Sequence, residues 1–228
     1  MQQGVVVFSS GFAPAKSVLP NLIENHMKLY FSPGACSLSP HIVLQEAGLD
    51  FTLERVDIRA RQTASGADFL TINSKGYVPA LELKDGTVLT EGPAIVQFVA
   101  DLVPDRQLVP AHGTPERYQL IEWLNFIATE VHKSFGPLFR PTATDDMKEA
   151  ARTNLSNRLG WIAGRLEGRD YLMGSQFTVA DAYLFTVLGW AAFVGFDLSP
   201  WPLLGAYQQR VAGRPAVQQA LRAEGLIK

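Results

Sequence analysis

The sequence predicts a two-part chain, an α/β half with a small mixed sheet followed by an all-α half. Three observations lead there. β-prone runs occur only before Glu91. Two of them, Ala80–Leu83 and Thr87–Thr90, flank Lys84-Asp85-Gly86, and Asp-Gly between such runs is the strongest short-range hairpin signal. Beyond the stretch that ends at Pro115, only helical periodicity remains. With 228 residues, 47% hydrophobic and 18% charged, the chain has the makings of a packed core and not of a disordered segment.

The elements follow in order. KLYF, from Lys28, is a short strand ending at Ser32-Pro33-Gly34. A helix from Ser37 to Ala47 follows, with Ile42, Val43 and Leu44 on its apolar face and Gly48 at the position after its C-terminus. FTLERVDI, residues 51–58, is a second strand, Arg59 to Gly66 a polar loop, and Ala67 to Ile72 a helical turn. After the hairpin, Glu91-Gly92 begins a helix over Pro93 to Val103. Strands joined through a helix run parallel and hairpin strands antiparallel. The order β-α-β-α-β-β-α is that of a thioredoxin-like domain, placed at 27–104.

Residues 105–115, rich in proline and glycine, form the linker to an all-helical domain at 116–228. Arg117 to Phe135 is apolar at Leu120, Ile121, Leu124, Ile127, Ala128 and Val131, and Asp146 to Leu166 is a second long amphipathic stretch. In FTVADAYLF, Thr178 and Asp181 have capping-box spacing with Phe177 placed as a staple. The helix they open is apolar nearly all round, to about Val194, which marks it as the centre of its domain. Two shorter helices, Leu203–Val211 and Pro215–Glu224, close the chain. Residues 1–26 precede a second methionine, Met27, and read as an extension outside the fold, the alternative being an added strand or docking arm.

A net charge of −2 with no basic stripe argues against nucleic acid and against a charged membrane surface. No apolar run reaches the roughly 20 residues of a membrane span. A single cysteine, Cys36, excludes an internal disulfide and a cysteine zinc cluster and suits the reducing cytoplasm. No other group has metal-ligand spacing, so no metal is expected.

Four places carry potential chemistry. Cys36 stands at a helix start, where the helix dipole and free N–H groups favour thiolate, although a lone cysteine is also commonly a small buried apolar residue. Val78-Pro79 enters a strand after a glycine turn, and a cis bond there would turn the backbone of Val78 outward as an edge for an extended peptide. Glu91-Gly92 joins a strand end to a helix start, where N–H groups can hold a carboxylate and Glu91 an ammonium; satisfying the helix start is the plainer role. His132 lies on the first long helix of the second domain, as a catalytic or a merely structural histidine.

Together these residues resemble a known family. Over Met27 to Lys228 the chain is similar to bacterial beta-class glutathione S-transferases, on the strength of MKLYFSPGACSLSPHIVLQEAG, NSKGYVPALEL, DGTVLTEGPAI, RYQLIEWLNFIATEVHKSF and FTVADAYLF. The resemblance implies a homodimer that binds glutathione as co-substrate and conjugates its thiolate to hydrophobic electrophiles. Glutathione-dependent thiol-disulfide exchange through Cys36, or non-enzymatic ligand binding, are the alternatives. It implies that Cys36, with Ala35 beside it, and His132 face the glutathione sulfur. Val78, before Pro79, would pair with the cysteinyl backbone; Glu91 and Gly92 would hold the γ-glutamyl end, and Arg61 the glycine carboxylate. Asn125 and Lys133 would contribute to the glutathione site across the dimer interface. Phe135, Phe139, Tyr183 and Trp190 are the aromatic candidates for the electrophile pocket, each equally a candidate for the core. The family commonly shows NPKGQVPAL, whereas this chain has Ser74 and Tyr77 at the varied positions, which alters the rim of the tripeptide site.

Overall fold

The computed structural model describes residues 27–228, so the reading of residues 1–26 as an extension lies outside the described residues. The first part runs β1 (Met27–Phe31), α1 (Leu38–Ala47), β2 (Phe51–Asp57), β3 (Gln62–Thr63), α2 (Phe69–Ile72), β4 (Ala80–Glu82), β5 (Val88–Thr90) and α3 (Gly92–Asp101). A 3-10 turn at Pro104–Arg106 leads to α4 (Pro115–Phe126), a π-helical turn (Ile127–His132) and α5 (Lys133–Phe139). Then come α6 (Asp145–Arg165), α7 (Val179–Phe193), α8 (Pro202–Ala212) and α9 (Pro215–Ala223).

The strands form one sheet in the order β3-β2-β1-β4-β5. β1 and β2 are parallel, with Leu29 opposite Leu53, while β4 is antiparallel to β1 and β5. Side chains alternate across a strand. Met27, Leu29 and Phe31 therefore enter the main core, and Tyr30 joins Val56, Phe69, Val78 and Ala80 on the opposite face. Gly48 ends α1 at φ 67°, a left-handed conformation that costs glycine little, with its N–H on the carbonyl of Gln45.

Two local expectations are corrected. The loop predicted over Arg59 to Gly66 contains β3, which pairs with Val56 and Asp57 of β2. The Asp57 carboxylate accepts the N–H groups of Arg59 and Ala60, each at 2.9 Å, and turns the chain back onto that edge. The single helix predicted over Arg117 to Phe135 is interrupted by the π turn. Buried Ile127, Val131 and Phe135 keep an unbroken apolar stripe through it, so the spacing carries no sign of the change.

One core joins the two parts. Leu29 and Ile42 belong to the same buried cluster as Leu184 and Leu188, and α1 packs on α3, α7 and α9. The Thr178–Asp181 capping box forms at the start of α7 as its spacing predicts, and α7 is buried along nearly its whole length. Among the described residues no helix is long and apolar enough to cross a membrane.

Candidate active site

The loop between β1 and α1 brings Cys36 to the contact of sheet and helical domain. Ser37 Oγ clamps its base, accepting from the N–H of Ser32 at 3.1 Å and donating to the Ser32 carbonyl at 3.2 Å. Gly34, at φ 69°, is held from the helical side at both polar groups. Its N–H donates to Glu224 Oε2 at 2.9 Å and its carbonyl accepts from Trp190 Nε1 at 2.8 Å. A Cβ on Gly34 would make ordinary contact with Leu226 at 3.5 Å, so its left-handed φ, not lack of space, calls for glycine. Glu224 is itself buried and lies 2.8 Å from His41 Nδ1 of α1.

Cys36 precedes α1 by two residues, and its Sγ donates to the carbonyl of Val78 at 3.2 Å. The expected acidification by the helix start is corrected. Burial of the sulfur pushes the thiol up from 9.0 to about 11, and Glu91 pushes the same way. The opposing pull of the Cys36 and Ser37 N–H groups and of Lys133 is smaller. Desolvation outweighs the helix terminus, and Cys36 is a protonated hydrogen-bond donor at neutral pH.

Val78-Pro79 is cis and Val78 is buried, with its carbonyl directed at the cysteine. Glu91 caps α3 from the left-handed side, at φ 70°, a conformation that costs a non-glycine residue about 1–3 kcal/mol. Gly92 and Pro93 open α3. The Glu91 carboxylate is exposed and paired with Lys75 Nζ at 2.7 Å, and Lys75 also donates to Thr90 Oγ1 at 2.9 Å. Sequence reasoning missed Lys75, although it lies within the quoted NSKGYVPAL run. Tyr77 stands at this rim, 69% exposed.

His132 closes the π turn, a kind of irregularity frequent at functional sites. Its Nδ1 lies 2.7 Å from Tyr183 Oη of α7, and its ring meets Trp190 edge to face at 4.7 Å. Burial, reinforced by Lys133, pushes His132 down to about 4, with Glu91 pulling weakly the other way. The imidazole is neutral at pH 7. Burial also holds the Tyr183 hydroxyl well above the ordinary tyrosine range.

Of the four aromatic candidates, Trp190 stands at the centre, with Phe135 and Phe139 edge-on to it at 5.8 and 5.7 Å. Phe139 is half exposed, whereas Phe135 is fully buried and belongs to the core. Tyr183 is buried and engaged by His132. The apolar cavity at the thiol loop, about 340 Å³, is lined by Gly34, Trp190, Phe193, Leu226 and Ile227, the last three absent from the sequence reading. A second cavity of about 410 Å³ between α4 and α6 shares no residue with this cluster, so no chemistry is assigned to it.

The remaining candidates lie around this centre. Ala35 packs on the Tyr30 face of the sheet. Lys133 is exposed, and its charge reaches both Cys36 and His132. Arg61 is exposed at φ 55°, and a Cβ on Gly76 would stand 3.8 Å from its Nε, which puts it beside the Lys75–Tyr77 turn. Asn125 is exposed on α4 and shares no described hydrogen bond or ion pair with the cluster. Among the described residues no group of three or more histidine, cysteine or carboxylate side chains is placed to hold a metal ion.

A thioredoxin-like sheet whose cis-proline edge receives a lone thiol, covered by a helical domain that grips the thiol loop, defines a two-domain thiol-site protein. Residues 34–102 match the glutathione S-transferase N-terminal domain and residues 126–215 the glutathione S-transferase C-terminal domain. The chain is 51% identical over 200 residues to the glutathione S-transferase GstA of Escherichia coli O157:H7, covering 88% of this chain and 100% of that one. Among solved structures, a ternary complex of BphK, a bacterial GST, is similar with a TM-score of 0.86 at 63% identity, over 87% of this chain and 99% of that one. A sphingomonad glutathione S-transferase complexed with glutathione (50% identity) and a beta-class enzyme of Sphingomonas chungbukensis (52%) each give 0.85, over 88% of this chain and 100% of theirs. The chain belongs to the glutathione S-transferase family.

Proposed function

We propose that the chain conjugates the thiolate of glutathione to hydrophobic electrophiles, working as a cytoplasmic homodimer. The observation that carries this reading is the contact of Cys36 Sγ with the Val78 carbonyl, because it brings the one thiol onto the backbone edge where a cysteinyl peptide would pair. The Gly92 N–H, at the start of α3, takes the γ-glutamyl carboxylate, and Glu91 takes its ammonium. Arg61 reaches the glycine carboxylate, for which its fork of donors is suited. These sites supply a partner for each charge of the tripeptide.

The bound thiol gives its proton to solvent, and the thiolate is held by hydrogen bonds from His132 and from the Cys36 thiol, whose single proton turns from the Val78 carbonyl as the cysteinyl N–H takes that acceptor. Its sulfur attacks an electrophilic carbon seated against Trp190 and Phe193. The new S–C bond forms as the bond to a leaving group such as halide breaks, and halide departs with that electron pair. Asn125 and Lys133 act near the dimer interface on this reading. Steady-state conjugation of several aryl halides, with sedimentation to establish the dimer, tests it. Absence of conjugation together with absence of glutathione binding in calorimetry would overturn it in favour of a non-enzymatic ligand-binding role.

A further inference from the structure

We infer that Tyr183 is a positioning residue that fixes the tautomer of His132, donating its hydroxyl proton to Nδ1 so that the imidazole offers Nε2–H to the glutathione sulfur. This rests on the transferase reading of the site and goes beyond it by assigning a direction to each proton. The contact is short, 2.7 Å, and joins α7 to the π turn, so neither ring drifts independently of the other. Trp190 braces the imidazole edge to face at 4.7 Å, and Tyr183 is T-shaped to the same ring at 5.9 Å.

The chemistry of the pair sets the direction. A phenol is a stronger donor than acceptor, and a neutral imidazole has one nitrogen that accepts and one that donates. Burial keeps both partners uncharged, since it depresses His132 to about 4 and raises Tyr183. The charged and titratable groups facing this pair are Lys133 on the next residue, Glu91 from the start of α3 and Cys36 from the thiol loop. With Nδ1 taken by Tyr183, the ring proton resides on Nε2, which has no hydrogen-bond partner among the described residues and is not sealed from solvent. His132 then holds a thiolate as a donor and has no free lone pair with which to take the thiol proton. That proton leaves to solvent.

The test uses the full chain labelled with ¹⁵N-histidine, with and without glutathione. Loss of one imidazole in His132→Asn assigns the His132 signals. The expected spectrum shows His132 protonated at Nε2 in both states, and Tyr183→Phe is expected to lose that single tautomer. In the same variant the apparent pKa of bound glutathione, read from thiolate absorbance, should rise by about one unit. Conjugation below that pKa should fall about tenfold in kcat, with KM for glutathione within about twofold. An Nδ1-protonated His132 in the parent chain, or an unchanged thiol pKa in a folded Tyr183→Phe variant, overturns the inference. If glutathione does not bind the parent chain at all, the transferase reading fails and the thiolate-holding role with it, while the tautomer spectrum of the free chain still decides whether Tyr183 is the donor.

Discussion

Cys36 Sγ donates to the Val78 carbonyl at 3.2 Å, so the thiol and the acceptor a bound peptide would use are engaged with each other. The thiol is held protonated by burial, at about 11. At pH 7 a thiolate fraction of about one in 10⁴ follows. Alkylation of the free chain by iodoacetamide should therefore quicken about tenfold per pH unit up to about pH 11; a plateau near neutral pH would show an acidified thiol instead. The sign for stability is equally fixed. The unfolded chain loses this proton first, so the contribution is complete below about pH 9 and is lost as pH rises to about 11.

A protonated Cys36 acts in conjugation as a donor to the glutathione sulfur, not as the attacking nucleophile. Cys36→Ser keeps a donor at the same place and should retain conjugation within about threefold, whereas Cys36→Ala should lose about tenfold, the scale of one hydrogen bond to a charged group. Thiol-disulfide exchange needs the sulfur itself. Disulfide reduction by the serine variant at the parent rate would remove that second activity from Cys36.

Glu91 spends backbone strain at φ 70° to present a carboxylate that Lys75 already neutralises at 2.7 Å. Both side chains are largely exposed, so their mutual attraction contributes at most about 1 kcal/mol to stability. Glu91→Gln should leave thermal stability nearly unchanged while weakening glutathione binding about tenfold or more, read by calorimetry. Lys75→Ala should leave binding within about threefold, because it frees Glu91 for the ammonium as it removes a neighbouring charge. Equal losses in the two variants would show that Lys75 contacts the ligand directly.

What the sequence reveals here is what neighbours in the chain decide. Asp85-Gly86 and Thr178–Asp181 are legible because a turn and a cap need only a few adjacent residues. β3 escapes notice because two polar residues become a strand only through pairing with Val56 and Asp57. Lys75 and Glu91 are 16 residues apart, and Glu224 reaches Gly34 across 190, distances over which no local pattern speaks. The helix-start argument for Cys36 names a real local field, but desolvation of the sulfur, which depends on how the whole chain packs around it, outweighs that field. The sequence names Cys36, Val78 and His132, which the fold brings to one region, but it does not give the protonation of these groups.

Asp181 carries the clearest energetic test of the scaffold. Its carboxylate accepts from the N–H and hydroxyl of Thr178, the N–H of Leu172 and the hydroxyl of Tyr207, and these hold its pKa down. Burial outweighs them and raises it from 3.8 to about 6. The folded chain thus takes up this proton before the unfolded one does. Its contribution to stability is fully present below about pH 4 and is lost as pH rises through about 6. Asp181→Asn turns an amide towards one pair of these donors, leaving buried groups unpaired at the start of α7. That should cost about 2–4 kcal/mol at pH 7 in urea unfolding. The gap between parent and variant should widen between pH 6 and pH 4, because only the parent gains a proton there. A gap that narrows on acidification would show that the four donors, and not burial, set the charge of Asp181.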